Sequence, residues 1–342
     1  MTVYVLGAGA SRHAGYPLAS GLGPALHDWV HRTKPVGHDY RYHLDQLREL
    51  YGELEDIEYI LTNLDESPPD SPASTLPPPT RAILLNGLRY CIRELFNDLR
   101  PTPSPLYERL VRERIKPGDV IITFNYDMAC ERELKHEGLW ELGDGYGFSM
   151  GSDQFRPSSV KVLKLHGSTN WWGLIFGGST GAMSIDPVLK SLGSRPTIFF
   201  RQDFDFLGYP NDVRDPQCGQ VDKAAGFPAI VMPTLHKRFF EQTSLGREWG
   251  QFWNSIWEQA AHALSIAESI AIIGYSMPEA DQHARELLLQ RSNRHAQLTI
   301  CSGSRSTAIR AEFISHGFSS VRTIGQGRFE DFLGESATAA HT

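Results

Sequence analysis

The sequence predicts an α/β protein built on a doubly wound, mostly parallel sheet, with a helical insertion after the first strand. Two observations predict it. Short apolar, β-branched runs recur along the 342 residues, and the last three of them alternate with segments of helical periodicity. That alternation is the pattern of a parallel sheet whose strands are joined by crossover helices.

The first run, Thr2 to Leu6 (TVYVL), stops abruptly at Gly7. A continuous apolar run bounded by glycine reads as a strand buried on both faces. Similar runs follow at Val120–Phe124, Val160–Leu165, Ile270–Ile273, Leu298–Cys301 and about Val321–Ile324. Between the last three, Glu279–Arg291 and Ser304–His316 have the length and spacing of crossover helices, giving β-α-β-α-β and a Rossmann-like core. From about Leu18 to Lys116 the pattern changes. Apolar residues at helical spacing occupy Leu22–Val30, Tyr42–Leu64 and Ile83–Leu99, so residues 18–116 read as a helical insertion module within one domain spanning 1–342. A Pro- and Ser-rich loop, Ser67 to Pro79, interrupts those helices and is expected to be mobile. Residues 173–228, rich in Gly, Asp and Pro, are expected to fold as an irregular segment over the site.

Composition narrows the function classes. Charged residues make up 21% and apolar residues 41%, as in a globular protein. With 40 acidic against 33 basic residues and a net charge of −7, direct nucleic-acid binding is not expected, because that binding rests on clustered cations. Cys91, Cys130, Cys218 and Cys301 form no C-x-x-C pair, so no metal is expected. No apolar run approaches the ~20 residues needed to span a bilayer. The chain starts directly on a strand without a signal peptide, and the cytoplasm is the expected compartment.

Four polar turns follow apolar strands. Gly7-Ala8-Gly9-Ala10-Ser11 could bring backbone N–H groups to a pyrophosphate, or could be a plain tight turn. Arg12 replaces the third glycine of the dinucleotide fingerprint, and no acidic residue ends a second strand about 20 residues on. In Thr123-Phe124-Asn125-Tyr126-Asp127, Asn125 and Asp127 either face a ligand crevice or cap the next helix. His166, between an apolar strand and Gly167-Ser168, is placed to face a cleft. Gly274-Tyr275-Ser276 precedes a helix and offers a phosphate or ribose contact, or a simple turn capped by Ser276.

GAGASRHAGYP, TFNYD, KLHGSTNWW and GYSMPEAD, in this order, resemble sirtuin-like domains. They look most like the zinc-free branch of bacterial antiphage defence systems, whose members degrade NAD. DIEYILTNLD (Asp56–Asp65) and MPTLHK (Met232–Lys237) look like that branch too, and the resemblance runs from Val3 to about Arg328. It implies that Gly7, Ala8, Gly9, Ala10 and Ser11 cradle the pyrophosphate. It also implies that Asn125 is the catalytic asparagine, Asp127 the contact to the nicotinamide carboxamide and His166 the catalytic histidine. Gly274 and Ser276 would lie near phosphate and ribose, with Ser302 or Gly303 at the adenine end. Pro17-Leu18-Ala19-Ser20 departs from the sirtuin Pro-Asp-Phe-Arg segment, and the paired zinc cysteines are missing. Both departures argue against work on acyl-lysine peptides.

The expected activity is therefore NAD hydrolysis to nicotinamide and ADP-ribose, with NAD as substrate and a role as a NAD-depleting defence effector. Transfer of ADP-ribose or an acyl group, and non-catalytic sensing of NAD or ADP-ribose, are the alternatives. Such an activity needs gating, so a homo-oligomer or a gating partner protein is expected. Trp253 and Trp257, four apart on the predicted helix Gly246–Ala263, could serve an interface, although a Trp pair at that spacing is more often core.

Overall fold

The structure, a computed structural model, describes residues 1–142, 144–148, 157–174, 198–199, 226–235 and 246–334. Its main sheet holds six strands: β1 (Thr2–Leu6), β2 (Val120–Thr123), β3 (Lys161–Lys164), β7 (Ser269–Ile273), β8 (Gln297–Cys301) and β9 (Val321–Thr323). They pair in the order β3-β2-β1-β7-β8-β9, and every pairing is parallel. The chain thus winds outward from β1 to one side, returns, and winds to the other, which is the Rossmann-like doubly wound arrangement. The reversal lies between β1 and β7, the place where open α/β sheets form a crevice at their carboxyl ends. Val3, Val5, Ile122, Val162, Ile272 and Ile300 are fully buried, as expected of strands covered on both faces.

Register decides what stands at that crevice. Leu6 pairs with Thr123 and with Ile273, Thr123 pairs with Lys164, and Ile273 pairs with Cys301. The residues one step beyond, Gly7, Phe124, Leu165, Gly274 and Ser302, therefore leave the sheet at one level. Each of the four polar turns begins there.

Between β1 and β2 the described chain is helical: α1 (Ala8–Ser11), α2 (Ala19–Thr33), α3 (Asp39–Tyr51), α4 (Ile57–Glu66), α5 (Pro78–Leu99) and α6 (Pro105–Glu113), with short 3-10 turns. The apolar pattern from Tyr42 to Leu64 is two helices, not one. Gly52 (φ +75°) ends α3, and the Asp56 carboxylate starts α4 by accepting the Tyr59 N–H at 2.9 Å. The Pro- and Ser-rich loop, expected to be mobile, is anchored at its centre. Ser71 and Ala73 are buried, Pro72–Thr75 forms a 3-10 turn, and Ser71 Oγ donates to the Pro68 carbonyl at 2.8 Å. Short hydroxyl-to-backbone bonds of this kind fix a proline-rich loop that composition alone presents as a linker.

After β2 come α7 (Ala129–His136), then β3, and then a second sheet that the sequence did not suggest. β4 (Gly167–Leu174) pairs antiparallel with β5 (Ile198–Phe199) and β6 (Gly226–Ile230). Only Gly167 (φ +83°) redirects the chain from the vicinity of β3 into β4, and a Cβ there would lie 2.0 Å from the Ala229 carbonyl oxygen. Most of the expected irregular segment 173–228, and Cys218 with it, lies outside the described residues. The remaining helices are α8 (Gly246–Ile266), α9 (Gln282–Gln290), α10 (Ser306–Ser315) and α11 (Phe329–Gly334). On α8, Trp253 and Trp257 are buried within the chain, and Trp253 lies 6.1 Å from the Trp171 ring. The pair belongs to the core. No described helix is long and apolar enough to cross a membrane.

Candidate functional site

The turn after β1 packs directly on the turn after β7. Gly7 N–H donates to the Ile273 carbonyl at 3.0 Å, Gly9 N–H to the Gly274 carbonyl at 2.9 Å, and Ala10 N–H to the Gly7 carbonyl at 2.9 Å. Three N–H groups expected to cradle a pyrophosphate are thus spent on backbone carbonyls, and α1 is only four residues long. The glycines serve the contact between the turns: a Cβ on Gly7 would lie 2.4 Å from Tyr275 Cα. Ala8 and Ser276 are exposed and Gly9 and Gly274 half-buried, so these four form the solvent-facing lip of the two turns.

Asn125 is buried beneath that lip. Its Nδ2 donates to the Gly7 carbonyl at 2.9 Å and to Ser11 Oγ at 3.0 Å, and Ser11 Oγ lies 2.8 Å from the Tyr107 hydroxyl. Burial, reinforced by Asp127 and Cys130, pushes the Tyr107 phenol well above its ordinary value, so it stays protonated. Gly7, Ser11 and Asn125 are therefore brought together as expected of one constellation, although 118 residues separate Gly7 from Asn125.

Asp127 is placed otherwise. Its Oδ1 accepts the Ala129 N–H at 3.0 Å at the start of α7, from one residue before the Met128 N-cap, so it helps begin the helix without capping it. Its carbonyl accepts from Lys164 Nζ, which also donates to Glu131 Oε1 at 2.8 Å. Lys164 and Glu131 are fully buried, and burial raises the Glu131 carboxyl above its usual range against the pull of Lys164. This pair pins the Asn125–Asp127 turn to β3. Replacing one member of a buried ion pair strands the other, so Lys164→Met should cost about 3–5 kcal/mol, measured as a lower urea midpoint.

His166 is buried at 5% exposure, with its Nε2 3.5 Å from Asp281 Oδ2. Asp281, at 2% exposure, also accepts from the Tyr275 hydroxyl at 3.0 Å. Burial first, then the neighbouring Asp281 charge, pushes the Tyr275 phenol well above its ordinary value and keeps it a donor. Phe124 stacks on Tyr275 at 4.2 Å and lies 5.0 Å from the His166 ring. β3 and β7 stand three places apart in the sheet, about 14 Å at normal strand spacing, so their turns must lean inward to meet. Tyr275 and Asp281 lie within the GYSMPEAD turn, where the sequence assigns them no role. Asp281 stands at the N-cap position of α9 yet makes no side-chain cap bond, because its carboxylate serves Tyr275. A signal was present: an acid two residues beyond Glu279 in a turn already singled out.

Ser302 sits at the end of β8, half-buried, and its N–H donates to Ser306 Oγ at 2.8 Å. It is level with Gly274 but outside the hydrogen bonds that join Gly7, Ser11 and Asn125. The two accessory segments meet each other: Leu235 N–H donates to Thr62 Oγ1 at 2.8 Å, while Tyr126 donates to the Val231 carbonyl at 2.5 Å. His236 and Lys237 lie outside the described residues. Burial raises the Cys91 and Cys130 thiols, which makes neither a ready nucleophile.

Comparison with protein-family models gives no match, and no curated protein matches the sequence. Among solved structures, the chain is similar to a Sir2 enzyme studied for mechanism and regulation, at 15% identity and a TM-score of 0.41, over 97% of this chain and 90% of that one. It is similar to a Sir2 homologue in complex with 2′-O-acetyl-ADP-ribose, at 14% identity and a TM-score of 0.41, over 97% and 89%. A Sir2 protein bound to a propionylated peptide aligns at 14% identity and a TM-score of 0.37, over 97% and 90%.

Proposed function

We propose that the chain is an NAD glycohydrolase, cleaving the nicotinamide–ribose bond to give nicotinamide and ADP-ribose. The observation that carries this is the buried His166–Asp281–Tyr275 group, set at the carboxyl edge of a doubly wound sheet beside the Asn125–Gly7–Ser11 constellation. A buried histidine facing a carboxylate at 3.5 Å has the makings of a general base, and a base that accepts a proton from water suits hydrolysis better than redox chemistry.

The chemistry asks little of an acid. The C–N bond breaks with its electron pair going to the pyridinium nitrogen, so nicotinamide leaves neutral and unprotonated. Water forms the new bond to C1′ and gives up one proton. With His166 Nε2–H turned to Asp281, Nδ1 carries the lone pair that takes this proton, and the Asp281 charge stabilises the resulting imidazolium. Asn125 orients ribose hydroxyls and water; two of its present bonds, to Ser11 and Gly7, hold its amide in place for that task. Ala8, Gly9, Gly274, Ser276 and Ser302 line the approach for the dinucleotide, and Asp127 supports the turn from below.

On this reading the protein works in the cytoplasm as a NAD-depleting antiphage effector, gated by a partner protein or by self-assembly. Incubation with NAD followed by chromatography tests the reaction. Stoichiometric nicotinamide and free ADP-ribose are expected. ADP-ribose retained on protein would instead indicate transfer, and intact NAD with measurable binding would indicate a sensor.

A further inference from the structure

We propose a metal site in the helical module, where His27 and His31 of α2 and Asp45 of α3 would hold a divalent cation of the zinc class. The cysteine pattern, which gave no reason to expect a metal, is silent about this set because it contains no cysteine. His27 and His31 stand four residues apart and so share one face of α2, the spacing by which a single helix offers two imidazoles to one ion. Their ring centroids are 4.2 Å apart. Asp45 faces them from the neighbouring helix: its Oδ1 lies 2.9 Å from His31 Nε2 and 3.9 Å from His27 Nε2. The three ligand atoms all fall within 4.8 Å of one another.

These separations suit a small tetrahedral ion. Metal–ligand bonds of about 2.0–2.1 Å place neighbouring ligand atoms about 3.4 Å apart. The distances of 2.9 and 3.9 Å from Asp45 Oδ1 lie on either side of that value, so small side-chain adjustments bring the carboxylate and both imidazoles to one ion. Nitrogen and carboxylate donors select zinc or its neighbours over magnesium or calcium, which prefer all-oxygen shells. The side chains of His27 and His31 are 18% and 30% exposed and that of Asp45 is 49% exposed, so water can supply the fourth ligand.

Two guanidiniums compete for the same imidazoles. Arg41 lies 2.8 Å from His31 Nδ1, and Arg48 lies 3.4 Å from His27 Nε2. Each has another partner to fall back on: Arg41 donates to the Lys34 carbonyl at 3.3 Å, and Arg48 to Glu53 at 3.0 Å. When an ion takes His31 Nε2, the ring proton moves to Nδ1 and Arg41 withdraws to the carbonyl. The ion then braces α2 against α3 in place of the hydrogen-bonded network. None of this depends on the NAD chemistry.

The full-length, tag-free protein, stripped with a chelator and titrated with zinc chloride by calorimetry, should bind one ion at a site that the His27→Ala/His31→Ala double variant loses. Asp45→Asn, a surface change that spares the fold, should weaken binding by more than about 10-fold, because even an outer-shell partner of a metal ligand is worth about 10–100-fold. Zinc should raise the thermal midpoint of the wild type and not of the double variant. Equal zinc uptake by wild type and double variant, or none by the wild type, would overturn the proposal.

Discussion

Replacing His166 with alanine should slow NAD cleavage by about 10²–10⁴-fold, the usual worth of a positioned general base, while NAD binding stays close to that of the wild type. The imidazole is asked to take a proton only as water attacks, so its loss falls on kcat more than on KM. Asp281→Asn should fall between the two. It keeps the side chain's shape and its contact with the Tyr275 hydroxyl but removes the charge that faces Nε2 at 3.5 Å. If the two residues act as a unit, the double variant should be no slower than His166→Ala alone. A merely structural Asp281 would instead lower stability and spare kcat per folded molecule. Undiminished turnover by His166→Ala would remove the base, and with it the hydrolytic mechanism.

Much of the frame could be read in the residues because burial on two faces leaves a plain mark. β1, β7 and β8 are unbroken apolar runs that stop at glycine or serine, and the sheet places them within a residue of where those runs begin and end. Asn125 and His166 were legible for a related reason: a polar side chain just past a buried strand needs a partner or a ligand. Partners themselves leave no such mark. The Gly9 N–H group looks available in a Gly-x-Gly turn, and only the close approach of Gly274 shows where it goes. Asp281 falls inside the helical pattern Glu279–Arg291, and Lys164 interrupts an otherwise apolar run. In the fold, Lys164 is fully buried because Glu131 and the Asp127 carbonyl meet it from α7 and its approach. Long-range pairing decided each case, and periodicity carries no information about it. β4 was missed similarly, because no turn residue besides Gly167 separates it from the histidine before it.

The contact between the β1 and β7 turns makes a second large effect predictable, and one substitution separates packing from backbone strain. Gly274 has φ +65° and Gly303 has φ +57°, so alanine at either enters the left-handed region. That strain alone costs about 1–2 kcal/mol. The surroundings differ sharply. A Cβ at Gly303 meets nothing within 4 Å, whereas at Gly274 it would lie 2.1 Å from the Ala10 nitrogen and 2.5 Å from the Gly9 carbonyl carbon. Those neighbours are backbone, so no rotamer change relieves the clash, and the two turns must separate. Separation breaks the Gly9-to-Gly274 hydrogen bond and loosens the Gly7 carbonyl that holds Asn125. Gly303→Ala should therefore shift the urea midpoint only modestly. Gly274→Ala should cost more than about 4 kcal/mol, or fail to yield folded protein. Equal midpoints for the two variants would mean that the turns do not abut, and Asn125 would need a different support.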